Sequence, residues 1–394
     1  MINYAKFGAD SNFTYRVLKG FFFLLFPLLV VLGNFEVWLG GSSITLPFLL
    51  VLLLPVALCE MFRLRRGFLN REWIPFFFLY VLLFSCGILS ALFDDFTRAQ
   101  RNAAALLPLV LAVMVLFCFR DISLGFNVVR VMCVAGGGLA TLVLIKSIML
   151  YMPALQGSGL ADIYRLKAEM GLPLGKSNFL AVMLAFFSVF AWRFNKFLWF
   201  YMFLAVCLTL SKFGVFFVLL AGLCTWLLSF FRLSVVLALL AGGAALFVLP
   251  VLIFPADIIT LANSYSLPTS LIARFELWSA ALDLLKLNFF LGGSPGGFTT
   301  YLELVGWPRH EWGTHNFLLA QWIEYGFLGV CVYLAMIVRF FLVRSCNACA
   351  DDELIKLSGA ILLFYALFEN VVGLVAFEVM FAYLLCLLSA RRVS

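Results

Sequence analysis

Long apolar runs separated by short polar breaks fill this chain. Runs such as FFFLLFPLLVVL (21–32) do not alternate apolar and polar positions, so they are not strands of a membrane barrel. They approach the ~20 residues that a helix needs to cross a ~30 Å hydrocarbon core. The polar breaks predict spans near 20–38, 44–62, 73–93, 102–119, 122–152, 177–193, 196–210, 213–231, 234–255, 314–343, 354–371 and 373–390. The run from Phe197 to Phe231 is interrupted only by Ser211-Lys212. As one helix it would be about 50 Å long, so a hairpin tip is expected there. The expected fold is all-α: a single integral membrane domain over 1–394, with about 12 transmembrane helices and one large loop at about 256–313 that contains helix.

Composition agrees with the pattern. The chain is 65% hydrophobic and only 12% charged, which excludes an ordinary soluble domain. The polar N-terminus lacks a small-residue cleavage site after the first apolar run, so that run is expected to be retained. Most of the ten cysteines lie inside apolar runs, where a thiol behaves as a small hydrophobe. Cys346 and Cys349 form a lone C-x-x-C with no second pair, too few ligands for a metal site. There is no internal repeat, no P-loop and no G-x-G-x-x-G, so neither a nucleotide cofactor nor a nucleic-acid partner is expected.

Twelve spans put both termini on one side. The majority of the 27 lysines and arginines, including the run RLRRGFLNR (63–71), fall in the breaks of that side, which makes it cytoplasmic by the positive-inside rule. Cations on the other side need a second explanation. They cluster in three places: Arg165, Lys167 and Lys176; Lys212 at the hairpin tip; and Arg274, Lys286 and Arg309 in the long loop.

Within that loop, Leu271, Phe275, Trp278, Leu282, Leu285 and Phe289 recur at helical spacing. The segment is expected to lie on the bilayer surface or to cover a cavity. Arg274 flanks this stripe with no acidic residue three or four positions away. It is either a snorkelling surface arginine or an anion clamp. GGSPGGF (292–298) follows and permits tight turns or close backbone approach.

The chain has two histidines, His310 and His315. His310, in PRHEW, reads as a plain loop residue. Thr314 is expected to cap the next helix, with His315 in its first turn. There the helix N-terminus favours an anion and an uncharged imidazole, the form a general base requires. Glu324 cannot orient His315 within one straight helix, being about 13 Å along the axis and on the opposite face.

Several segments together resemble one family. LGKSNFLA (174–181), TLSKFG (209–214), RFELWSAAL (274–282), GGSPGGF and THNFLLAQWIEYGFLG (314–329) follow the order found in bacterial O-antigen ligases and the related O-antigen polymerases. The first half matches only in hydropathy. The resemblance implies an all-helical fold in the bacterial inner membrane, with a periplasmic cavity and no cofactor. It implies metal-independent transfer of a glycan from undecaprenyl diphosphate, with lipid A–core oligosaccharide as the ligase's acceptor. By position, the family's essential histidine falls on His315 and its loop arginine on Arg274. A second arginine falls on Lys212, where SKFG departs from the Ser-Arg-Gly pattern; lysine keeps the charge but loses the bidentate fork. Arg165, Lys176, Asn178, Arg309 and Asn316 are further candidates for donor or acceptor contacts.

Other readings differ in reaction or class. A polymerase shares the donor but accepts a second lipid-linked glycan, and a protein-glycosylating transferase is a third possibility among enzymes. A flippase or secondary transporter would show related halves and midplane ionisable groups. Glu324, Glu369 and Glu378 are the residues that reading would use. On the outer face, Asp94-Asp95 is the one acidic pair that suggests a metal, with too few companions to hold one.

Overall fold

The computed structural model describes residues 19–31, 34–39, 42–47, 53–54, 56–57, 74–93, 99–119, 123–124, 127–157, 166–172, 175–265, 269–307, 313–343, 350–369, 375–389 and 391–392. Among the described residues the helices are α1 Lys19–Val31, α2 Ile74–Phe93, α3 Ala99–Cys118, α4 Val128–Gly157, α5 Ser177–Phe194, α6 Lys196–Leu208 and α7 Lys212–Leu227. They continue as α8 Leu233–Ile253, α9 Pro255–Ser264, α10 Thr269–Leu287, α11 Gly297–Leu304, α12 Phe317–Leu342, α13 Ala350–Ala366 and α14 Val375–Ser389. Among the described residues, sheet is confined to short pairs. One is an antiparallel hairpin of Asn34–Leu39 with Ser42–Pro47. Another joins Gly171–Leu172 to Gly175–Lys176.

Helix α5 is the centre of the bundle. It packs against α4, α6, α7 and α13, and every residue from Phe179 to Ala191 is buried. Such a helix is apolar all round because it meets protein on all sides. Lipid tails are as apolar as these side chains, so close packing holds the interfaces together. At the crossing of α5 and α7, a Cβ on Gly214 would stand 2.4 Å from Ala181 Cβ. The outward faces carry Phe78, Leu92, Met149 and Leu246 in exposed positions, as a lipid-facing surface requires.

Among the described residues, five helices are long and apolar enough to cross a membrane: Ile74–Phe93, Val128–Pro153, Ser177–Phe194, Leu233–Ile253 and Phe317–Leu342. The hairpin expected at Ser211-Lys212 is present, between α6 and α7. Its limbs have 13 and 16 residues, about 20 and 24 Å at 1.5 Å per residue, shorter than the span expected of each. The first expected span also differs, since α1 ends at Val31 and the chain enters the 34–47 hairpin. The expected span at 44–62 begins in that hairpin, and most of it lies outside the described residues.

The expected single span at 314–343 is broken. Gly326 has φ 72° and ψ −177°, a region essentially open only to glycine. The Phe317 and Tyr333 rings lie 5.9 Å apart, whereas a straight helix would separate them by about 24 Å. Helix α12 therefore bends back on itself at Gly326. Freed backbone groups at such a break need partners, and the loop after α10 supplies them. Phe327 N–H donates to Phe290 C=O at 3.1 Å, and Gly293 N–H donates to Ile323 C=O. Trp322 Nε1–H donates to Phe289 C=O at 3.0 Å. This is the use of GGSPGGF: Gly292, at φ 74°, lets its backbone rest on Ile323 and Gly326.

Candidate functional site

The long loop between α8 and α12 folds into α9, α10 and α11. In α10 the expected stripe is inward: Phe275, Trp278 and Leu285 are buried, although Phe289 beyond its end is exposed. Arg274 is buried with them, at 7% exposure. It stands on a cluster that its own helix does not supply.

That cluster is built around Glu369, just past the end of α13 and 4% exposed. Its Oε1 accepts from Arg274 Nη2 and from Asn178 Nδ2 at 2.9 Å. Its Oε2 faces His315 Nδ1 at 3.1 Å. Arg274 Nε–H also donates to the Phe368 carbonyl at 3.0 Å, and its guanidinium lies 4.7 Å from the Phe213 ring centroid. A carboxylate this deep is tolerated because its lone pairs are met by a cation and two further donors. Four elements converge here: the N-terminus of α5, α10, the turn before α12 and the end of α13.

The expectation that Arg274 has no partner holds only along its own helix. Tertiary structure pairs it with Glu369, so it is not an uncompensated cation. The expected cap is displaced too. Asn316, not Thr314, caps α12, its Oδ1 accepting from the Leu318 and Leu319 amides at 3.0 and 3.2 Å. Asn316 is fully buried in that role. His315 precedes the helix in a left-handed conformation, φ 50°, uncommon for a residue with a Cβ. Strain of this kind costs about 1–3 kcal/mol and clusters at functional sites; here it accompanies the turn that brings the imidazole to Glu369.

Lys212 is the exposed first residue of α7, next to the Phe213 ring that backs Arg274. Lys167, on a short turn of 3₁₀ helix (Leu166–Glu169), is half-buried. Burial lowers its pKa, Glu369 opposes that shift, and Arg274 and Lys212 add to it. Lys176 is exposed at the start of α5, and no contact among the described residues brings it to the cluster. Arg165, Arg309, His310, Asp94, Asp95, Cys346 and Cys349 lie outside the described residues. Of the other acids, Glu378 of α14 is buried and accepts from Tyr333 Oη–H of α12 at 3.1 Å. Glu324 lies on the first limb of α12, its carboxylate against the Gly296 backbone amide.

An apolar groove of about 660 Å³ leads away from the cluster. It follows α7 from Lys212 to Leu227, with α8 opposite and Phe364 and Phe368 of the α13 end as part of its wall. Lys212 is its one charged lining residue.

Glu369 is the residue that sequence reasoning did not place. Its available signal was an ionisable side chain in an apolar segment, functional by default in a membrane; its partners were invisible in sequence. No curated protein matches the chain. Residues 197–334 match the family model described as O-antigen ligase. That range takes in Lys212, Arg274 and His315, and Asn178 and Glu369 fall outside it. The match spans 138 of the 394 residues and makes that segment similar to the O-antigen ligase family.

Proposed function

We propose that the protein is an O-antigen ligase, transferring a preassembled glycan from undecaprenyl diphosphate to lipid A–core oligosaccharide at the periplasmic face of the inner membrane. The observation that carries this reading is the contact of His315 Nδ1 with a buried carboxylate. An ionised carboxylate can only accept, so Nδ1 bears the proton and donates it, leaving the Nε2 lone pair as the base.

In the proposed step, Nε2 takes the proton of the acceptor hydroxyl as that oxygen attacks the anomeric carbon. The bond from that carbon to the diphosphate oxygen breaks, and undecaprenyl diphosphate leaves with the electron pair. One displacement inverts the anomeric configuration. Glu369 holds the ring and stabilises the imidazolium as it forms, as the aspartate of a hydrolase triad does. A base so placed contributes about 10²–10⁴-fold. Charge developing on the leaving group calls for cations fixed in advance; Lys212 at the groove mouth and Arg274 beside it suit that need. The groove gives the carrier's hydrocarbon tail a place beside the reacting end. The step requires no group beyond these side chains.

The test is direct. Purified protein supplied with a lipid-linked glycan and rough lipopolysaccharide is expected to yield capped lipopolysaccharide. Transfer only onto a second lipid-linked glycan would identify a polymerase, and no transfer onto either acceptor would sink the reading.

A further inference from the structure

We infer that Asn178 is a positioning residue for the transfer, holding the Glu369 carboxylate in the rotation that presents Oε2 to His315; this rests on the glycosyl-transfer reading above. Asn178 is the second residue of α5, and the end of α13 grips it at two points. Tyr365 Oη–H donates to its backbone carbonyl at 3.1 Å. One turn on, Glu369 Oε1 accepts from its Nδ2 at 2.9 Å. The tyrosine and the acid are held in register by the Glu369 N–H, which donates to the Tyr365 carbonyl at 3.2 Å. Tyr365 is fully buried, its ring 4.6 Å from that of Phe217 on α7. Packing therefore sets the amide before any substrate arrives.

The carboxylate has an alternative that this amide removes. Arginine and carboxylate frequently pair through both oxygens and two parallel N–H bonds, and that arrangement here would draw Oε2 away from the imidazole. Arg274 divides its fork instead, with Nε on the Phe368 carbonyl and Nη2 on Glu369 Oε1. Asn178 Nδ2 is the second donor on that same oxygen. A carboxylate oxygen has two lone-pair sites. Arg274 and Asn178 fill those of Oε1, and Oε2 is left to His315 Nδ1 at 3.1 Å. An aliphatic side chain at 178 would leave one site of a buried carboxylate unmet, and rotation toward the guanidinium would be the relief. Asparagine suits the place because it donates without adding charge.

The tautomer of His315 tests this directly. The chain has two histidines, so nitrogen NMR of the full-length protein with labelled histidine resolves the ring, with His315→Ala assigning its signals. The wild type should carry the proton on Nδ1. A hydrogen bond to a charged group is worth enough that Asn178→Ala should lower the ratio of the Nδ1–H to the Nε2–H form about tenfold. In glycan transfer kcat should fall by about the same factor, with donor and acceptor KM unchanged. In a Glu369→Gln background Asn178→Ala should cost almost nothing further, because the carboxylate it orients is gone; a loss of packing alone would cost the same in both backgrounds. Thermal unfolding confirms that each variant folds, and Asn178→Leu, of similar shape without the donor, repeats the test if Asn178→Ala does not. An unchanged tautomer ratio would overturn the inference, as would a wild-type kcat or equal losses in the two backgrounds. The tautomer is read without turnover: a protein that transfers no glycan to either acceptor, yet loses its Nδ1–H form in Asn178→Ala, would disprove the ligase reading and keep Asn178 as the residue that orients His315 through Glu369.

Discussion

The imidazole of His315 meets the carboxylate of Glu369 at 3.1 Å, across 54 positions of sequence. The same carboxylate binds the Arg274 guanidinium and the Asn178 amide, so one buried acid fixes the candidate base and a neighbouring cation together.

Replacing that acid by its amide separates orientation from bulk. Glu369→Gln keeps the volume but offers a neutral oxygen and an NH₂ group where three N–H donors point. The expected result is a fall in kcat of about 10²–10⁴-fold, the scale seen when a triad loses its carboxylate. Donor KM should change far less. Full activity in Glu369→Gln would remove Glu369 from the mechanism.

Arg274 tests geometry against charge. Its Nε and Nη2 serve the Phe368 carbonyl and Glu369 at once, which a single ammonium cannot reproduce. Arg274→Lys is therefore expected to lose activity nearly as severely as Arg274→Ala. Breaking a buried pair also costs about 3–5 kcal/mol, so both variants should unfold at lower temperature than the wild type. Wild-type kinetics in Arg274→Ala would leave Arg274 a structural partner of Glu369 with no part in transfer.

The broken helix makes a prediction about stability. A Cβ on Gly326 would stand 2.1 Å from Phe290 O, and one on Gly292 would stand 2.5 Å from Ile323 O. Neither neighbour is a flexible side chain, and both glycines have positive φ. Gly326→Ala and Gly292→Ala should each destabilise the protein by roughly 3 kcal/mol or more. Gly242→Ala, with nothing within 4 Å of its Cβ, should be neutral or slightly stabilising. Thermal unfolding in detergent measures all three.

The groove makes another. Gly243 lines it, and a Cβ there meets no atom within 4 Å. Gly243→Phe should fill the groove and raise KM for a long-tailed donor. The gain on entering from lipid is packing alone, so an effect of about threefold is expected rather than orders of magnitude. Gly242→Phe adds the same ring one position away, outside the groove lining, and should leave KM unchanged. Equal KM in the two variants would deny the groove a role.

Much of this was legible in the sequence, in uneven measure. The all-helical membrane character followed from apolar run length, and the tip at Ser211-Lys212 followed from a run too long for one crossing. The inward stripe of α10 followed from its period. The reversal at Gly326 did not, because a single glycine in an apolar run looks like an ordinary helical position. What makes it a turn is the loop at Phe290–Gly293, which is distant in sequence. His315 was singled out from its place at the head of an apolar run, and the structure sets it against Glu369; the cap was misplaced by two residues because Thr314 and Asn316 are both capping types. Glu369 escaped because its partners stand 54, 95 and 191 positions away, and nothing local distinguishes it from Glu324 or Glu378.

The central claim is that His315 removes the acceptor's proton during glycan transfer. It is tested most directly by single-turnover transfer from a lipid-linked glycan to rough lipopolysaccharide, comparing wild type with His315→Ala at saturating donor. The expected result is unchanged binding of undecaprenyl diphosphate with transfer slowed by about 10²-fold or more. Transfer by His315→Ala at the wild-type rate would contradict the account.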